Sequence, residues 1–314
     1  MATFAKRAVL CVVGVLSMAV IAPAQTPDAM RPAGPVIQPM QGPAPAAPGR
    51  PFPSVREDSV QSESVGRAVR YRVILPPDYD RTPERYVAIY LLHGLMGDFA
   101  DWESRTRIVD HLRAFPAVVV MPDGGDAWYT NSAGDPKERV EDCIIKDVIP
   151  DVERKYRVIR SRQGRAVVGL SMGGYGALKF GLKYPGTFAF SGSFSGALTI
   201  ARDPEFGKTM TKYYPGMQKI FGPAGSPTRA ENDIYALAKK ADPARMPYFY
   251  VDCGTEDGLL ASNREFVAVL QQQKIAYEYR ELPGGHTWTY WDHQFPQMLH
   301  VLAERLRVQA AAGQ

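Results

Sequence analysis

Residues 165–180 read RAVVGLSMGGYGALKF, and this segment carries the strongest indication of the fold. Its first six residues are mostly apolar and predict a buried strand, and the small residues that follow predict a helix. Between them, residues 169–173 fit the Gly-x-Ser-x-Gly pattern, in which a serine occupies a strained turn from strand to helix. Glycines flank the serine because larger side chains would collide there. The context therefore favours a nucleophilic Ser171 over an ordinary tight turn.

The segments around this motif alternate between strands and helices. Strands are predicted at residues 67–75, 86–92, 117–121, 165–170, 188–194, 248–252 and 276–282. Helices are predicted at residues 102–115, 137–156 (kinked at Pro150), 172–184, 264–273 and 295–308. The alternation predicts an α/β fold with a mostly parallel sheet covered by helices on both faces. Together with the Gly-x-Ser-x-Gly turn, it indicates the α/β-hydrolase fold. Residues 197–245 interrupt the alternation and predict a small helical insertion over the site.

A serine hydroxyl needs a base to accept its proton, and in this fold the acid and the histidine follow the serine in the chain. Three histidines follow Ser171. His286 stands in a Pro-Gly-Gly-His loop after the last predicted strand, whereas His293 and His300 fall in or near the final helix. His286 is therefore the predicted base.

The acid is expected just beyond the strand at 248–251. Asp252, Glu256 and Asp257 are the candidates there. Asp257 ranks first and Glu256 second, because Asp257 lies further into the loop and can reach the outer imidazole nitrogen of His286.

An acyl-transfer enzyme also needs two hydrogen-bond donors for the oxyanion of its tetrahedral intermediate. One follows the nucleophile and is the backbone amide of Met172. The other should come from the loop after the third strand, residues 93–97 with the sequence HGLMG, which indicates the amide of Leu95.

These motifs, together with several others, resemble the esterase D family of α/β-hydrolases. The resemblance runs in order through most of residues 65–305 and rests on LLHG at 91–94 with Gly97 and Trp102, PDG at 122–124, WYTN at 128–131, GLSMGG at 169–174, CGTED at 253–257 and GGHTW at 284–288. The family includes S-formylglutathione hydrolases, feruloyl and acetyl-xylan esterases, and secreted mycolyltransferases. The resemblance implies Ser171, Asp257 and His286 as the catalytic triad, with the amides of Leu95 and Met172 for the oxyanion. It does not choose the substrate.

Aromatic residues cluster near the predicted catalytic loops. Trp128, Tyr129 and Trp288 can stack on a sugar or a phenolic acyl group, or they can pack the bases of the loops. The same two roles are open to Tyr213 and Tyr214 in the insertion.

The N-terminal residues predict export. Residues 1–24 contain a basic pair, a fifteen-residue apolar run and Ala22-Pro23-Ala24, which match a cleaved secretory signal peptide. This apolar run is shorter than the roughly 20 residues that a membrane-spanning helix needs, which disfavours an uncleaved membrane anchor. Residues 25–54 are rich in proline and predict a disordered linker, followed by one catalytic domain at 55–310. We expect a periplasmic or secreted protein with no membrane span after cleavage.

Composition and motifs narrow the remaining function classes. The 37 basic and 33 acidic residues give a formal charge of +4, and no basic cluster interleaves with aromatics, so a nucleic-acid partner has no electrostatic support. No HExxH, Cys-x-x-Cys or P-loop pattern occurs, so no metal or other cofactor is expected. Cys143 and Cys253 are expected to be buried free thiols, with a disulfide between them as the alternative.

The sequence therefore predicts a serine carboxylic-ester hydrolase acting on a small-molecule or carbohydrate ester. Two alternatives stay open: an acyltransferase, in which a sugar hydroxyl replaces water, and a non-catalytic binding protein that retains the fold. The sequence does not indicate the oligomeric state.

Overall fold

Eight strands form one sheet in a computed structural model that describes residues 52–203 and 217–306. The strands are β1 (Ser54–Ser62), β2 (Arg67–Leu75), β3 (Val87–Leu92), β4 (Ala117–Pro122), β5 (Arg165–Leu170), β6 (Phe190–Phe194), β7 (Tyr248–Gly254) and β8 (Tyr277–Leu282). Their order across the sheet is β1-β2-β4-β3-β5-β6-β7-β8. β2 is antiparallel to both of its neighbours, and every other adjacent pair is parallel. The predicted α/β-hydrolase fold is confirmed.

The helices of the described residues lie on both faces of this sheet. They are α1 (Asp101–Arg105), α2 (Ile108–His111), α3 (Val140–Asp142), α4 (Ile149–Lys155), α5 (Met172–Lys183), α6 (Met217–Phe221), α7 (Pro227–Asn232), α8 (Ile234–Lys240), α9 (Leu260–Gln272) and α10 (Trp288–Leu306). Successive residues of a strand point to opposite faces. Tyr90 and Val167 therefore join one apolar cluster, with α5, while Ile89 and Val168 join another, with α10.

The segment predicted as one kinked helix at 137–156 is divided by a π-helical turn, Cys143–Val148. Pro150 lies two residues beyond the end of this turn and stands in the first turn of α4. Because proline has no N–H, it cannot donate to the carbonyl four residues earlier, and the wider turn accommodates the missing bond. The helix predicted at 102–115 is likewise divided, into α1, α2 and a 3-10 turn at Leu112–Ala114.

β1 lies in a region where no strand was predicted. It is an edge strand that pairs only with β2, and most of its side chains are exposed. A strand so exposed needs no apolar face, so its sequence carries no alternating pattern.

Several predictions fall wholly or partly outside the described residues. These are the signal peptide at 1–24, most of the linker at 25–54, and Tyr213 and Tyr214 of the insertion. Within the described residues, no helix has the length and apolar character needed to cross a membrane. Cys143 and Cys253 are both buried and free, and burial raises the pKa of their thiols to about 11 and about 12.

Candidate active site

Ser171 occupies the turn between β5 and α5, with φ of 53° and ψ of −114°. A positive φ is costly for a residue with a side chain, so the surrounding backbone must hold the turn in place. The Ser171 amide donates to the Phe194 carbonyl at 2.9 Å. A Cβ on Gly173 would lie 2.5 Å from the Leu92 carbonyl oxygen, and one on Gly169 would overlap the backbone of Gly173. The turn therefore requires glycine at both flanking positions.

His286 joins Ser171 to Asp257 through its two ring nitrogens. Nε2 lies 3.0 Å from the Ser171 hydroxyl oxygen, and Nδ1 lies 2.9 Å from a carboxylate oxygen of Asp257. The Asp257 side chain is 1% exposed, whereas that of His286 is 37% exposed. The geometry thus connects a buried acid to a serine at the surface through a histidine that solvent and substrate can reach.

The Asp257 carboxyl is held in its charged form. Burial acts to raise its pKa, but hydrogen bonds from His286 and from the Leu259 amide outweigh burial, so the pKa lies below its ordinary value. A charged Asp257 keeps the proton of neutral His286 on Nδ1. Nε2 is then free to accept the proton of the Ser171 hydroxyl.

The loops that carry the acid and the base are tied to each other. The Glu256 amide donates to the Gly284 carbonyl at 2.9 Å, and Gly284 has a φ of 137°, which favours glycine. The Trp291 ring stands edge-on to His286 at 4.9 Å and donates to the Ser195 hydroxyl at 3.1 Å. These contacts restrict the position of the His286 ring.

The other two acids considered from the sequence lie in different surroundings. Asp252 is buried and accepts hydrogen bonds from the hydroxyls of Tyr250 at 3.1 Å and Tyr290 at 2.5 Å. Glu256 is exposed. Of the three acids, it is Asp257 that the structure brings into contact with His286.

The two residues whose amides are predicted to bind the oxyanion come from segments near Ser171. Met172 is the first residue of α5, so its N–H has no acceptor one turn earlier within the helix. The loop that contains Leu95 passes close to Ser171, since a Cβ on Gly94 would lie 3.8 Å from the Ser171 Cβ. The Asp126 carboxylate, in the loop after β4, accepts a hydrogen bond from the Met96 amide at 2.6 Å and so ties the two loops together.

The structure separates the three aromatic candidates. Trp128 and Tyr129 are 1% and 0% exposed, so their side chains pack the base of the loop. Trp288 is partly exposed and packs edge-on against Trp102 and Trp291. Trp288 is therefore the one of the three whose side chain a substrate group can reach.

Two residues that the sequence did not assign to the site also lie within it. His93 precedes Ser171 in the chain, so chain order gives it no place in the triad, yet its buried ring joins the loops after β3 and β4. Asp126 carries no motif that would indicate its contact with Met96. Within residues 52–203 and 217–306, no group of three or more His, Cys, Asp or Glu side chains could hold a metal ion.

The fold, with a serine, a histidine and an aspartate joined at its loops, defines the class of α/β-hydrolase serine hydrolases. The esterase family model described as "Putative esterase" matches residues 62–302. The chain belongs to this family and is a serine esterase.

Individual relatives agree with this assignment. An acetyl esterase of Caldicellulosiruptor saccharolyticus is 31% identical over 218 residues, which cover 68% of this chain and 82% of the relative. An esterase of Mycobacterium tuberculosis is also 31% identical, and the match spans about half of its length, 54%. A solved ferulic acid esterase has a TM-score of 0.68 at 27% identity, covering 81% of this chain and 99% of its own. A diacylglycerol acyltransferase/mycolyltransferase of Mycobacterium leprae is more distant, at 26% identity over 84% of this chain and 88% of its own.

Proposed function

We propose that the chain is an exported esterase that hydrolyses acylated sugars or small esters, with Ser171, His286 and Asp257 as its catalytic triad. The observation that carries this proposal is the continuous hydrogen-bonded line from Ser171 through His286 to Asp257, at 3.0 and 2.9 Å. The acetyl esterase and ferulic acid esterase relatives support ester substrates, and the N-terminal sequence supports export.

Each residue has a defined part in the proposed reaction. The Ser171 hydroxyl oxygen attacks the ester carbonyl while His286 Nε2 takes its proton, and Asp257 stabilises the resulting imidazolium. The carbonyl oxygen becomes an oxyanion that the amides of Leu95 and Met172 stabilise, each contributing about 3 kcal/mol. His286 then returns the proton to the leaving alcohol, which leaves an acyl group on Ser171. Water, activated by His286, hydrolyses this acyl-enzyme.

Ser171→Ala tests the nucleophile. We expect kcat on nitrophenyl acetate to fall by about 10³- to 10⁶-fold, because the acyl-enzyme cannot form. A fluorophosphonate probe should label Ser171 of the wild-type protein and leave the variant unlabelled. Ser104→Ala is the matched control, since Ser104 is exposed on α1, and this variant should keep full activity. Full turnover by Ser171→Ala would overturn the proposed triad.

The substrate class is tested on the mature protein with short-acyl, feruloyl, sugar-acetate and thioester substrates. We expect the highest kcat/KM on short-acyl or sugar esters. Trp288→Ala should raise KM for sugar or feruloyl esters more than for nitrophenyl acetate, because the indole is the partly exposed aromatic of the three candidates. Equal changes for all substrates would remove Trp288 from the binding site.

Acyl transfer is the second candidate function, and the mycolyltransferase relative is the observation that favours it. Hydrolysis and transfer share the acyl-enzyme and differ in which acceptor attacks it. Adding sugar acceptors to the assay separates them, since transfer yields an acylated sugar at the expense of free acid.

A further inference from the structure

The side chain of His93 makes two hydrogen bonds that fix the position of its proton. Its ring is 1% exposed at the end of β3. Nε2 lies 2.9 Å from the Gly124 amide nitrogen, and Nδ1 lies 2.8 Å from the Gly94 carbonyl oxygen. A backbone amide can only donate, so Nε2 is the acceptor and the proton is on Nδ1. The Asp123 carboxylate, 3.9 Å from Nε2, is beyond hydrogen-bonding distance.

The acceptor of the Nδ1 proton belongs to the peptide unit that contains the Leu95 amide. The Gly94 carbonyl and the Leu95 N–H lie in one rigid plane and, in a trans peptide, point in opposite directions. The Gly97 amide donates to the same carbonyl oxygen at 3.2 Å. Fixing the Gly94 carbonyl therefore fixes the direction of the Leu95 N–H. Hydrogen bonds to the carbonyl also polarise the peptide unit, which strengthens the N–H as a donor.

The His93 ring is itself held by the loop after β4. The Tyr129 hydroxyl donates to the His93 carbonyl at 3.1 Å, and the two rings stand edge-on at 5.8 Å. Lys179, a buried residue of α5, donates to the Tyr129 carbonyl at 2.5 Å and the Thr130 hydroxyl at 2.9 Å. Because α5 begins at Met172, this helix supplies one of the two proposed oxyanion amides. Through Lys179 it also holds the loop after β4, which contacts His93 next to the other proposed amide.

We propose that His93 is a positioning residue, which holds the Gly94–Leu95 peptide so that its N–H faces the oxyanion. This inference rests on the proposed function, because it assumes that the Leu95 amide binds the oxyanion. His93 takes no proton from the substrate and touches none of the reacting atoms. Its contribution is to the stability of the transition state.

Two substitutions of His93 separate this role from a purely structural one. In His93→Asn the side-chain amide nitrogen occupies the place of Nδ1 and can still donate to Gly94. In His93→Gln the amide lies near the place of Nε2, so it can accept from Gly124 but no longer donates to Gly94. His93→Asn leaves the buried Gly124 amide without its acceptor and should lower Tm more than His93→Gln does.

Activity should follow the opposite order to stability. We expect kcat of His93→Gln on nitrophenyl acetate to fall about 10- to 100-fold with KM unchanged, because an oxyanion donor is misdirected. His93→Asn should stay within about threefold of the wild-type kcat. Equal losses of kcat in the two variants, or losses that follow Tm, would overturn the proposal.

Two further measurements keep this test independent of the triad and of variant folding. A fluorophosphonate probe should still label Ser171 to completion in His93→Gln, because Ser171, His286 and Asp257 are unchanged. If Ser171→Ala retains turnover, the proposed function fails whatever the His93 variants do. In the wild-type protein, ¹⁵N-histidine NMR should show His93 protonated on Nδ1 and unprotonated on Nε2. The reverse tautomer would overturn the positioning role, even if neither variant folds.

Discussion

Asp252, within β7, and Asp257, in the loop beyond it, are both buried, yet their surroundings favour opposite charge states. For each carboxyl, burial is the largest influence and acts to raise the pKa. At Asp257, hydrogen bonds from His286 and the Leu259 amide outweigh burial, and the pKa lies below its ordinary value. At Asp252, the hydroxyls of Tyr290 and Tyr250 and the charge of Arg280 only partly offset it, and the pKa rises to about 7.

The difference shows that burial alone does not make a carboxyl the partner of a catalytic histidine. Asp257 faces a group that gains positive charge during the proposed reaction, so its own negative charge stabilises the transition state. Asp252 faces two phenols that remain neutral. It anchors Tyr290, whose ring packs against Gly284 of the loop that carries His286. In the proposed reaction, Asp257 thus acts directly, while Asp252 supports the loop that carries His286.

Asp257→Asn should have the largest effect of the substitutions that probe this contrast. We expect kcat on nitrophenyl acetate to fall about 10⁴-fold, because the asparagine amide can donate to Nδ1 and favour the tautomer with its proton on Nε2. Steady-state kinetics at neutral pH measures this loss. Asp252→Asn is the matched control and should keep kcat within about fivefold. Similar losses in both variants would remove the functional distinction between the two acids.

Asp252→Asn should change the pH dependence of stability. The folded pKa of about 7 lies above the ordinary value of 3.8, so the folded state retains a proton that the unfolded state releases. This carboxyl's contribution is fully present below about pH 4 and is lost as the pH rises towards 7. The gap between the two pKa values corresponds to about 4 kcal/mol as an upper bound.

Asparagine cannot ionise, so the variant should gain stability relative to the wild-type protein between pH 4 and 7 and show a constant difference above that range. Urea unfolding of both proteins at several pH values measures the difference. If the difference in unfolding free energy between the two proteins stays constant from pH 4 to 8, the pKa of Asp252 is not raised in the folded state.

The residues near Ser171 could be predicted from the sequence because the features that position them are local. The strand, the flanking glycines and the small-residue helix all lie within residues 165–180. His286 could also be identified, since chain order and a glycine-rich loop separate it from histidines on a helix. These signals depend on little beyond the residues next to each group.

The surroundings of the acids and of His93 depend on contacts between distant segments, so the sequence could not give them. The Asp252 carboxylate accepts a hydrogen bond from Tyr290, which is 38 residues away in the chain. His93 depends on Gly124, which is 31 residues away. Position alone left Asp257 and Glu256 as alternatives, and the resemblance to a family favoured Asp257. The structure adds the physical reason, because Asp257 is buried against His286 whereas Glu256 is exposed.

Glu256→Gln should have the smallest effect and completes the comparison. The Glu256 side chain is exposed, and its backbone amide, which this substitution keeps, makes the bond to Gly284. We expect kcat/KM within about twofold of the wild-type value and unfolding free energy within about 0.5 kcal/mol. The sharper test places Glu256→Gln in the Asp257→Asn variant. If Glu256 replaced the missing acid, the double variant would lose the remaining activity. We expect no further loss, because Glu256 is exposed, although it is next to Asp257 in the chain.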